Sequence, residues 1–218
     1  MRKLFCERGL LYKTFINITV QKKILIASKN IDKINEIKSI LNLDLISLKD
    51  LKEVKEIEET GNTFAENALI KAKYYYSLFL MPVIADDSGL VVPALNGEPG
   101  IFSARYAGEN ANYQDNNMKL LSAMKKLKRE QRKAFFICHA VYYEKNILIE
   151  TQGKTTGIIL KKPQGLNGFG YDPLFFLPKK GKSYAELSST EKNKVSHRYI
   201  AFKKLKENLR NYQKLNYG

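Results

Sequence analysis

In the front part of the chain, short apolar runs alternate with segments of helical periodicity, and this alternation restricts the fold more than any other feature. Residues 24–27 (Ile-Leu-Ile-Ala) are typical of a buried strand. Asn30 is a favourable N-cap for the helix that follows, which carries four aliphatic side chains on one face: Ile34, Ile37, Ile40 and Leu41. A buried strand that leads into an amphipathic helix is a building unit of α/β proteins.

A second helix and strand follow in the opposite order. Thr63-Phe64-Ala65-Glu66 has the pattern of a capping box. The helix that it begins places four side chains at helical spacing: Ala68, Leu69, Ala72 and Tyr75. Pro82 ends this helix, and residues 83–85 (Val-Ile-Ala) form another apolar run typical of a buried strand.

The rest of the chain predicts consecutive strands between helices. Asn112 marks the start of a helix that extends to about Leu127, and residues 135–143, 147–150 and 155–160 are predicted strands. Ser188-Ser189-Thr190-Glu191 is a second capping box, ahead of a long basic helical region. No internal repeat divides the chain. We therefore predict an α/β fold, with a mixed twisted central sheet flanked by helices in a single elongated domain of two lobes.

The chain is strongly basic, since 37 Lys and Arg against 22 Asp and Glu give a formal net charge of +15. Such an excess attracts polyanions, either nucleic acid or small phosphate-bearing ligands. The lysines are scattered along the whole sequence, which favours a solvated basic surface over a dedicated nucleic-acid face. The charge alone leaves both interpretations open.

Residues 1–23 precede the first predicted strand, and we interpret them as a basic N-terminal extension of the domain formed by residues 24–218. The extension lacks the composition of a transit peptide. Cys6 and Cys138 lie far apart and fit neither a metal nor a disulfide spacing, which indicates a reducing compartment. No apolar run approaches the roughly 18–20 residues of a membrane span. These features predict a cytoplasmic protein that does not bind membranes.

Four segments carry polar residues and glycines that packing does not require. Residues 28–33 (Ser-Lys-Asn-Ile-Asp-Lys) join a strand to a helix, where free backbone N–H groups and the helix dipole favour phosphate. Glu58 and Glu59 lie in a predicted loop, and a helix N-terminus does not explain this adjacent pair. Asp86-Asp87-Ser88-Gly89 directly follows the second apolar run, where open α/β sheets hold ligands, although an ordinary polar turn has a similar composition.

The fourth segment pairs residues 165–173 (Gly-Leu-Asn-Gly-Phe-Gly-Tyr-Asp-Pro) with Lys192, His197 and Arg198. Three glycines permit a tight loop, and its two aromatic residues offer faces for stacking on a base. On one uninterrupted helix the three basic side chains would point in different directions. We therefore expect a break near Ser196, with Ser196 capping a new helix so that these side chains converge.

Together these segments resemble the inosine/xanthosine triphosphate pyrophosphatase family, the HAM1/RdgB type, from about Ile24 to Leu209. The matching motifs occur in order and at natural spacing: Glu58-Glu59-Thr60-Gly61 with Phe64-Ala65-Glu66-Asn67-Ala68, Ala85-Asp86-Asp87-Ser88-Gly89-Leu90, Pro99-Gly100-Ile101-Phe102-Ser103-Ala104-Arg105-Tyr106, Gly168-Phe169-Gly170-Tyr171-Asp172-Pro173, and Ser196-His197-Arg198. The resemblance implies an active site in the cleft between the lobes, a Mg²⁺ cofactor and a homodimer.

The resemblance also assigns roles to individual residues. It implies that Glu58 and Asp87 bind the metal, with Glu59 and Asp86 adjacent, and that Asp87 is the general base for the attacking water. The implied substrate-binding residues are Ser28, Lys29, Asn30, Ile31, Asp32, Lys33, Lys71, Ser88, Phe169, Gly170, Tyr171, Asp172, Lys192, His197 and Arg198. Lys29 departs from the family pattern, which has glycine there, and this puts the backbone of the phosphate loop in doubt.

The implied activity is hydrolysis of the non-canonical triphosphates ITP, dITP and XTP to the monophosphate and pyrophosphate, without stable binding of nucleic acid. A related Maf-like nucleotide pyrophosphatase is an alternative, against which the Ser-His-Arg and Phe-Gly-Tyr-Asp motifs argue. A basic nucleic-acid-binding protein would explain the charge without chemistry, and an inert relative would explain Lys29.

Overall fold

The computed structural model describes residues 23–217, so most of the predicted extension, and Cys6 within it, lies outside the described residues. The strands are β1 Ile24–Ile26, β2 Leu45–Ser47, β3 Val83–Val91, β4 Lys133–Glu144, β5 Ile147–Ile159, β6 Phe175–Leu177 and β7 Lys182–Ser183. The helices are α1 Ile31–Leu41, α2 Phe64–Phe79, α3 Tyr113–Ala123, α4 Ser189–Lys192 and α5 His197–Tyr217. The strands form one sheet in the order β2-β1-β3-β4-β5-β6-β7.

The sheet is mixed, as predicted. β1 pairs in parallel with β2 and β3, and the pairs from β3 through β7 are antiparallel. The parallel strands come from the front of the sequence, where apolar runs alternate with helical segments. The antiparallel strands come from the consecutive strands that follow. The α/β prediction is therefore confirmed.

The position of residues 86–89 differs from the prediction. They do not follow a strand; they lie inside β3, where Asp86 pairs with Ala140 and Gly89 pairs with Ile137 of β4. The expectation that the acids follow the strand end was wrong because β4 continues to pair with them. The strand that ends here is β1. It stops at Ile26 and pairs with β3 only as far as Ile84. From residue 85 onward, one edge of β3 faces a cleft.

Two other boundaries also differ. The predicted strands at 147–150 and 155–160 are a single strand, β5, which pairs with β4 along its length. The helix expected to extend to about Leu127 ends at Ala123. Long-range pairing and local fraying decide such limits, and neither is visible in the periodicity.

The predicted helix starts are confirmed with one change. Asn30 caps α1 by accepting from Asp32 N and Lys33 N, and Ser188 forms the predicted capping box of α4. Ser196 Oγ accepts from Tyr199 N at 3.0 Å, so the expected break ahead of α5 is present. At α2, Thr63 accepts from Glu66 N, but the Glu66 carboxylate accepts from Asn62 N rather than from Thr63 N.

Three buried clusters divide the domain into the two predicted lobes. In the first lobe, α1 and α5 cover one face of the sheet, where α5 packs on β4 and β5, while α2 covers the other face at β3 and β4. In the second lobe, α3 packs on the antiparallel half around Leu90 and Phe136. Cys138 is buried and free. Within the described part of the chain, no helix is both long and apolar enough to span a membrane.

Candidate active site

A cleft of about 820 Å³, including its opening to solvent, lies between the lobes. The first lobe contributes Lys33 and Glu59, and the second contributes residues of the Pro99-to-Tyr106 motif together with α3. Asp87, Ser88 and Gly89 form its floor along the open edge of β3.

The two adjacent carboxylates of β3 point to opposite faces of the sheet, because successive strand residues alternate. Asp87 faces α2, where Asn67 and Lys71 contact it. Asp86 faces α5, where its Oδ2 lies 3.6 Å from Arg198 Nε. Both carboxylates are buried. They therefore belong to two separate charge clusters, and only Asp87 lines the cleft.

The Asp87 cluster places one cation between two acids. Lys71 Nζ lies 2.7 Å from Glu59 Oε1 and 3.9 Å from Asp87 Oδ1. Asn67 Nδ2 donates to Asp87 Oδ2 at 3.2 Å. Burial raises the pKa of Asp87 above its ordinary value against the opposing charge of Lys71, and Glu59 adds to the rise. A carboxylate with a raised pKa at the floor of a cleft is suited to accept a proton.

In the Asp86 cluster the surrounding cations lower the pKa of the carboxyl instead of leaving it raised. Lys33 Nζ lies 3.4 Å from Asp86 Oδ2, and Ser88 Oγ donates to the same oxygen at 2.5 Å. Burial by itself disfavours the charge, but Lys33 and Arg198 outweigh it and hold the pKa of Asp86 well below its usual range. Asp86 thus stays ionised and anchors two cations beneath the cleft.

The far end of the cleft is basic and is held in place by buried acids. Lys192 Nζ lies 2.8 Å from Glu36 Oε1 and 2.5 Å from Asp172 Oδ2, and Arg198 Nη1 donates to Glu36 Oε2. Burial opposes the charge of Glu36, yet Arg198 and Lys192 together lower the pKa of that carboxyl. Burial raises the pKa of Asp172 in spite of Lys192. The predicted convergence of Lys192, His197 and Arg198 is confirmed, since all three line this end.

His197 is neutral in this setting. Its ring stacks on Phe136, with centroids 4.6 Å apart. Burial, followed by the charges of Arg198 and Lys192, places the pKa of His197 well below its ordinary value. Among the described residues, His197 Nδ1 and Arg198 Nε have no hydrogen-bond partner. Both atoms are buried, and Arg198 Nε is ion-paired with Asp86 Oδ2 at 3.6 Å without a hydrogen bond.

The two aromatic residues of the glycine-rich loop differ in their surroundings. Lys192 Nζ lies 4.6 Å from the ring centroid of Phe169, which lines the cleft. Tyr171 is only 4% exposed, and its hydroxyl donates to Ser103 O at 2.9 Å within the core of the second lobe. Tyr171 nevertheless lines the cleft, and its role in stacking stays a prediction. Gly168 permits the tight loop, because its φ is +75° and an added Cβ would lie 2.1 Å from Asp172 Oδ2.

The structure brings only part of the predicted phosphate segment, residues 28–33, to the cleft. Asn30 and Lys33 line it. Four other members are absent from its lining: Ser28, Lys29, Ile31 and Asp32. Lys29 and Ile31 are exposed, so the departure at Lys29 falls on a side chain that points to solvent.

Only one residue of the acidic pair Glu58-Glu59 lines the cleft. Glu59 is half-buried, lines the cleft and pairs with Lys71. Glu58 is exposed and does not line the cleft. The metal-binding role of Glu58 stays a prediction, and Glu59 is the acid that the structure places beside Asp87.

Sequence reasoning missed Glu36, which pairs with Lys192 and Arg198, and two residues that line the cleft from α3. Glu36 was detectable, because it follows Lys33 by three residues on α1 and therefore shares its face. Tyr113 and Asn116 line the cleft from α3. No motif indicated them, because their approach depends on how the second lobe packs against the first.

The model of the Ham1 family matches residues 24–208 of this chain, which include every strand and the residues that line the cleft. The chain belongs to the Ham1 family. The segments recognised in the sequence are therefore Ham1 motifs, and all five contribute side chains to the cleft.

Individual Ham1 relatives match over nearly their whole length. The chain is 50% identical over 189 residues to the dITP/XTP pyrophosphatase of a Thermoanaerobacter species, covering 84% of this chain and 94% of the relative. It is 45% identical over 196 residues to the dITP/XTP pyrophosphatase of Escherichia coli, covering 87% and 99%. The solved Ham1 protein of Staphylococcus aureus superposes with a TM-score of 0.80 at 42% identity, covering 88% of this chain and 100% of that one.

Proposed function

We propose that this Ham1 protein hydrolyses non-canonical purine nucleoside triphosphates (ITP, dITP and XTP) to the monophosphate and pyrophosphate. The observation that carries the proposal is a cleft with the carboxylates of Asp87 and Glu59 at one end and basic side chains beside the Phe169 ring at the other. A nucleotide has the same two ends. The Thermoanaerobacter and Escherichia coli relatives, both dITP/XTP pyrophosphatases, support this substrate class.

The reaction requires little from the protein beyond positioning and charge. A water oxygen attacks phosphorus, the anhydride between the α- and β-phosphates breaks, and pyrophosphate leaves with the bond electrons. Asp87 is placed to accept the proton of the water, since its carboxylate lines the cleft and its pKa is raised by burial. Lys33 and Lys71 offset charge on the phosphate oxygens.

The donor set fits Mg²⁺. Glu59 and Asp87 offer hard carboxylate oxygens on either side of one cation, Lys71. Among the described residues no three metal-ligating side chains cluster, and Mg²⁺ typically takes one or two carboxylates and completes its shell with water and phosphate. We propose that Asp87 and an acid of the Glu58-Glu59 pair hold the ion. When bound, it would offset negative charge and orient the attacking water.

The base is selected by donors at the far end of the cleft. Hypoxanthine and xanthine carry an oxygen at position 6, where adenine carries an amino group. The Arg198 guanidinium is a buried donor group at this end, and its ion pairs with Glu36 and Asp86 hold it in place. An adenine amino group would face that donor without a partner, and polar mismatch in a desolvated site discriminates strongly.

Three further features belong to this proposal. Residues 24–218 form the catalytic domain, and residues 1–23 are an extension outside it. The protein acts as a homodimer, the commonest closed assembly. It works in the cytoplasm on the nucleotide pool, without nucleic acid or membrane as a partner.

The proposal is tested by incubating the purified protein with Mg²⁺ and ITP, dITP, XTP, GTP or ATP, and by identifying each product. We expect pyrophosphate and the monophosphate, with ATP slower than ITP by about 100-fold or more. EDTA should abolish turnover, and excess Mg²⁺ should restore it. Release of orthophosphate alone, or equal turnover of ATP, would refute the proposed function.

A further inference from the structure

Tyr113 links the two lobes across the mouth of the cleft. It is the first residue of α3 in the second lobe, and its hydroxyl donates to Asp32 Oδ2 at 3.0 Å in the first lobe. The same hydroxyl accepts from Asn30 Nδ2 at 3.3 Å. Asn30 also caps α1 through its Oδ1, so Tyr113 holds the side chain that organises the start of that helix.

The ring of Tyr113 contacts the opposite end of the cleft. Its centroid lies 6.0 Å from that of Phe169, with the planes inclined at 41°. Four residues further along, Asn117 makes the next contact of α3 with the same loop, since its Nδ2 donates to Gly170 O at 2.9 Å. The first turns of α3 thus contact both the segment at residues 28–33 and the aromatic loop.

The spacing of the two rings does not admit a base between them. A purine held between two aromatic faces needs about 7 Å, twice a carbon contact distance of roughly 3.5 Å. Tyr113 and Phe169 are closer than this and are not parallel. Tyr113 therefore covers the cleft instead of forming half of a base sandwich, and it has to move for a nucleotide to enter.

The environment of Tyr113 also argues against a role in the core. The side chain is 42% exposed and belongs to none of the three buried clusters. Its contacts are with two residues at the start of α1 and with the ring that lines the base end. A nucleotide carries its ribose between the triphosphate and the base, so a side chain that joins these two ends lies over the ribose position.

We propose that Tyr113 is a positioning residue that closes the cleft over the ribose of a bound nucleotide and holds Asn30 and the start of α1 in their substrate-binding arrangement. The inference rests on the proposed function for the identity of the ligand. Because the hydroxyl is already engaged by Asn30 and Asp32, it does not recognise the 2′-hydroxyl, and ITP and dITP should depend on Tyr113 equally.

The test compares Tyr113→Phe with the wild type, using Tyr76→Phe as the matched control. The control removes a hydroxyl from α2, where the Tyr76 ring packs on Tyr143 away from the cleft. Steady-state kinetics with ITP and dITP give KM and kcat separately. Hydrogen exchange of the amides at residues 28–33, measured on the free protein, reports closure without any need for turnover.

We expect Tyr113→Phe to raise KM about three- to tenfold for both substrates, with kcat within twofold, because losing one hydrogen bond depletes the closed state. Amide exchange at 28–33 should accelerate in this variant and not in Tyr76→Phe. Unchanged KM and exchange would overturn the inference, as would a lower kcat at constant KM. If no nucleotide is hydrolysed but exchange accelerates, the proposed function fails while the closure by Tyr113 stands.

Discussion

The same chemical change at two adjacent residues, Asp86→Asn and Asp87→Asn, should have opposite consequences. Both side chains are buried in β3, yet the pKa of Asp86 is lowered and that of Asp87 is raised. The charge of Asp86 is therefore favoured by its surroundings, whereas that of Asp87 is retained against a desolvation cost. Charge retained at such a cost is typical of functional groups.

For Asp87→Asn we expect kcat to fall by a factor of about 10²–10⁴, the usual contribution of a general base. Such a loss corresponds to about 3–5 kcal/mol in the activation barrier. Asparagine has nearly the same shape as aspartate but neither accepts the proton nor carries the charge that binds a metal. Loss of the metal ligand would increase the effect further.

The stability of Asp87→Asn should change little. In the folded protein the pKa of Asp87 lies above its unfolded value of about 3.8, so stability falls as the pH rises from that value through the raised pKa. Asparagine carries no charge, so at neutral pH the variant regains the stability that ionised Asp87 costs the folded protein. Against it, the new amide cannot accept from both Asn67 Nδ2 and Ser88 N, which costs about 1–3 kcal/mol. We expect a net change within about 2 kcal/mol.

Asp86→Asn should instead destabilise the fold. Its pKa is lower in the folded state, so the stability that it supplies is present above pH 3.8 and is lost as the pH falls through the folded pKa. The variant leaves Lys33 and the buried Arg198 without this acid. Breaking a buried ion pair from one side costs about 3–5 kcal/mol, and we expect the lower end because Arg198 keeps Glu36.

Urea denaturation at neutral pH and ITP turnover, measured on both variants, separate these outcomes. Asp87→Asn should be folded and inactive, whereas Asp86→Asn should unfold at markedly lower urea. If Asp87→Asn keeps activity within tenfold of the wild type, the assignment of the base is wrong. If it loses more stability than Asp86→Asn, the account of the two charge clusters is wrong.

Two further variants test the base end and the floor of the cleft. Arg198→Ala should reduce the ratio of kcat/KM for ITP over ATP by about tenfold or more, because a guanidinium donor that lines the cleft is lost, and an unchanged ratio would remove Arg198 from base selection. Gly89→Ala should cost about 1–3 kcal/mol in thermal unfolding, since its Cβ would lie 2.5 Å from Gly100 O and 2.8 Å from Phe64 Cε1, and an unchanged Tm would contradict this packing.

Much of the fold was predictable from local chemistry. The starts of α1, α4 and α5 depend on side chains that satisfy N–H groups within three residues, so Asn30, Ser188 and Ser196 were visible in the sequence. The alternation of apolar runs with helical segments likewise predicted β1 and the start of β3, but it did not predict β2. The limits of strands were less predictable, because pairing with β4 extends β3 through Gly89.

The candidate site, like the fold, was predictable only in part. The sequence by itself determined which segments carry chemistry, because acids, glycines and basic residues concentrate there without a packing reason. Only the tertiary structure decided how they are used. Strand alternation at the open edge of β3 directs Asp87 into the cleft and Asp86 beneath it, and the packing of α3 against the first lobe brings Tyr113 over the mouth. These relations join residues far apart in the chain, and no local pattern records such distances.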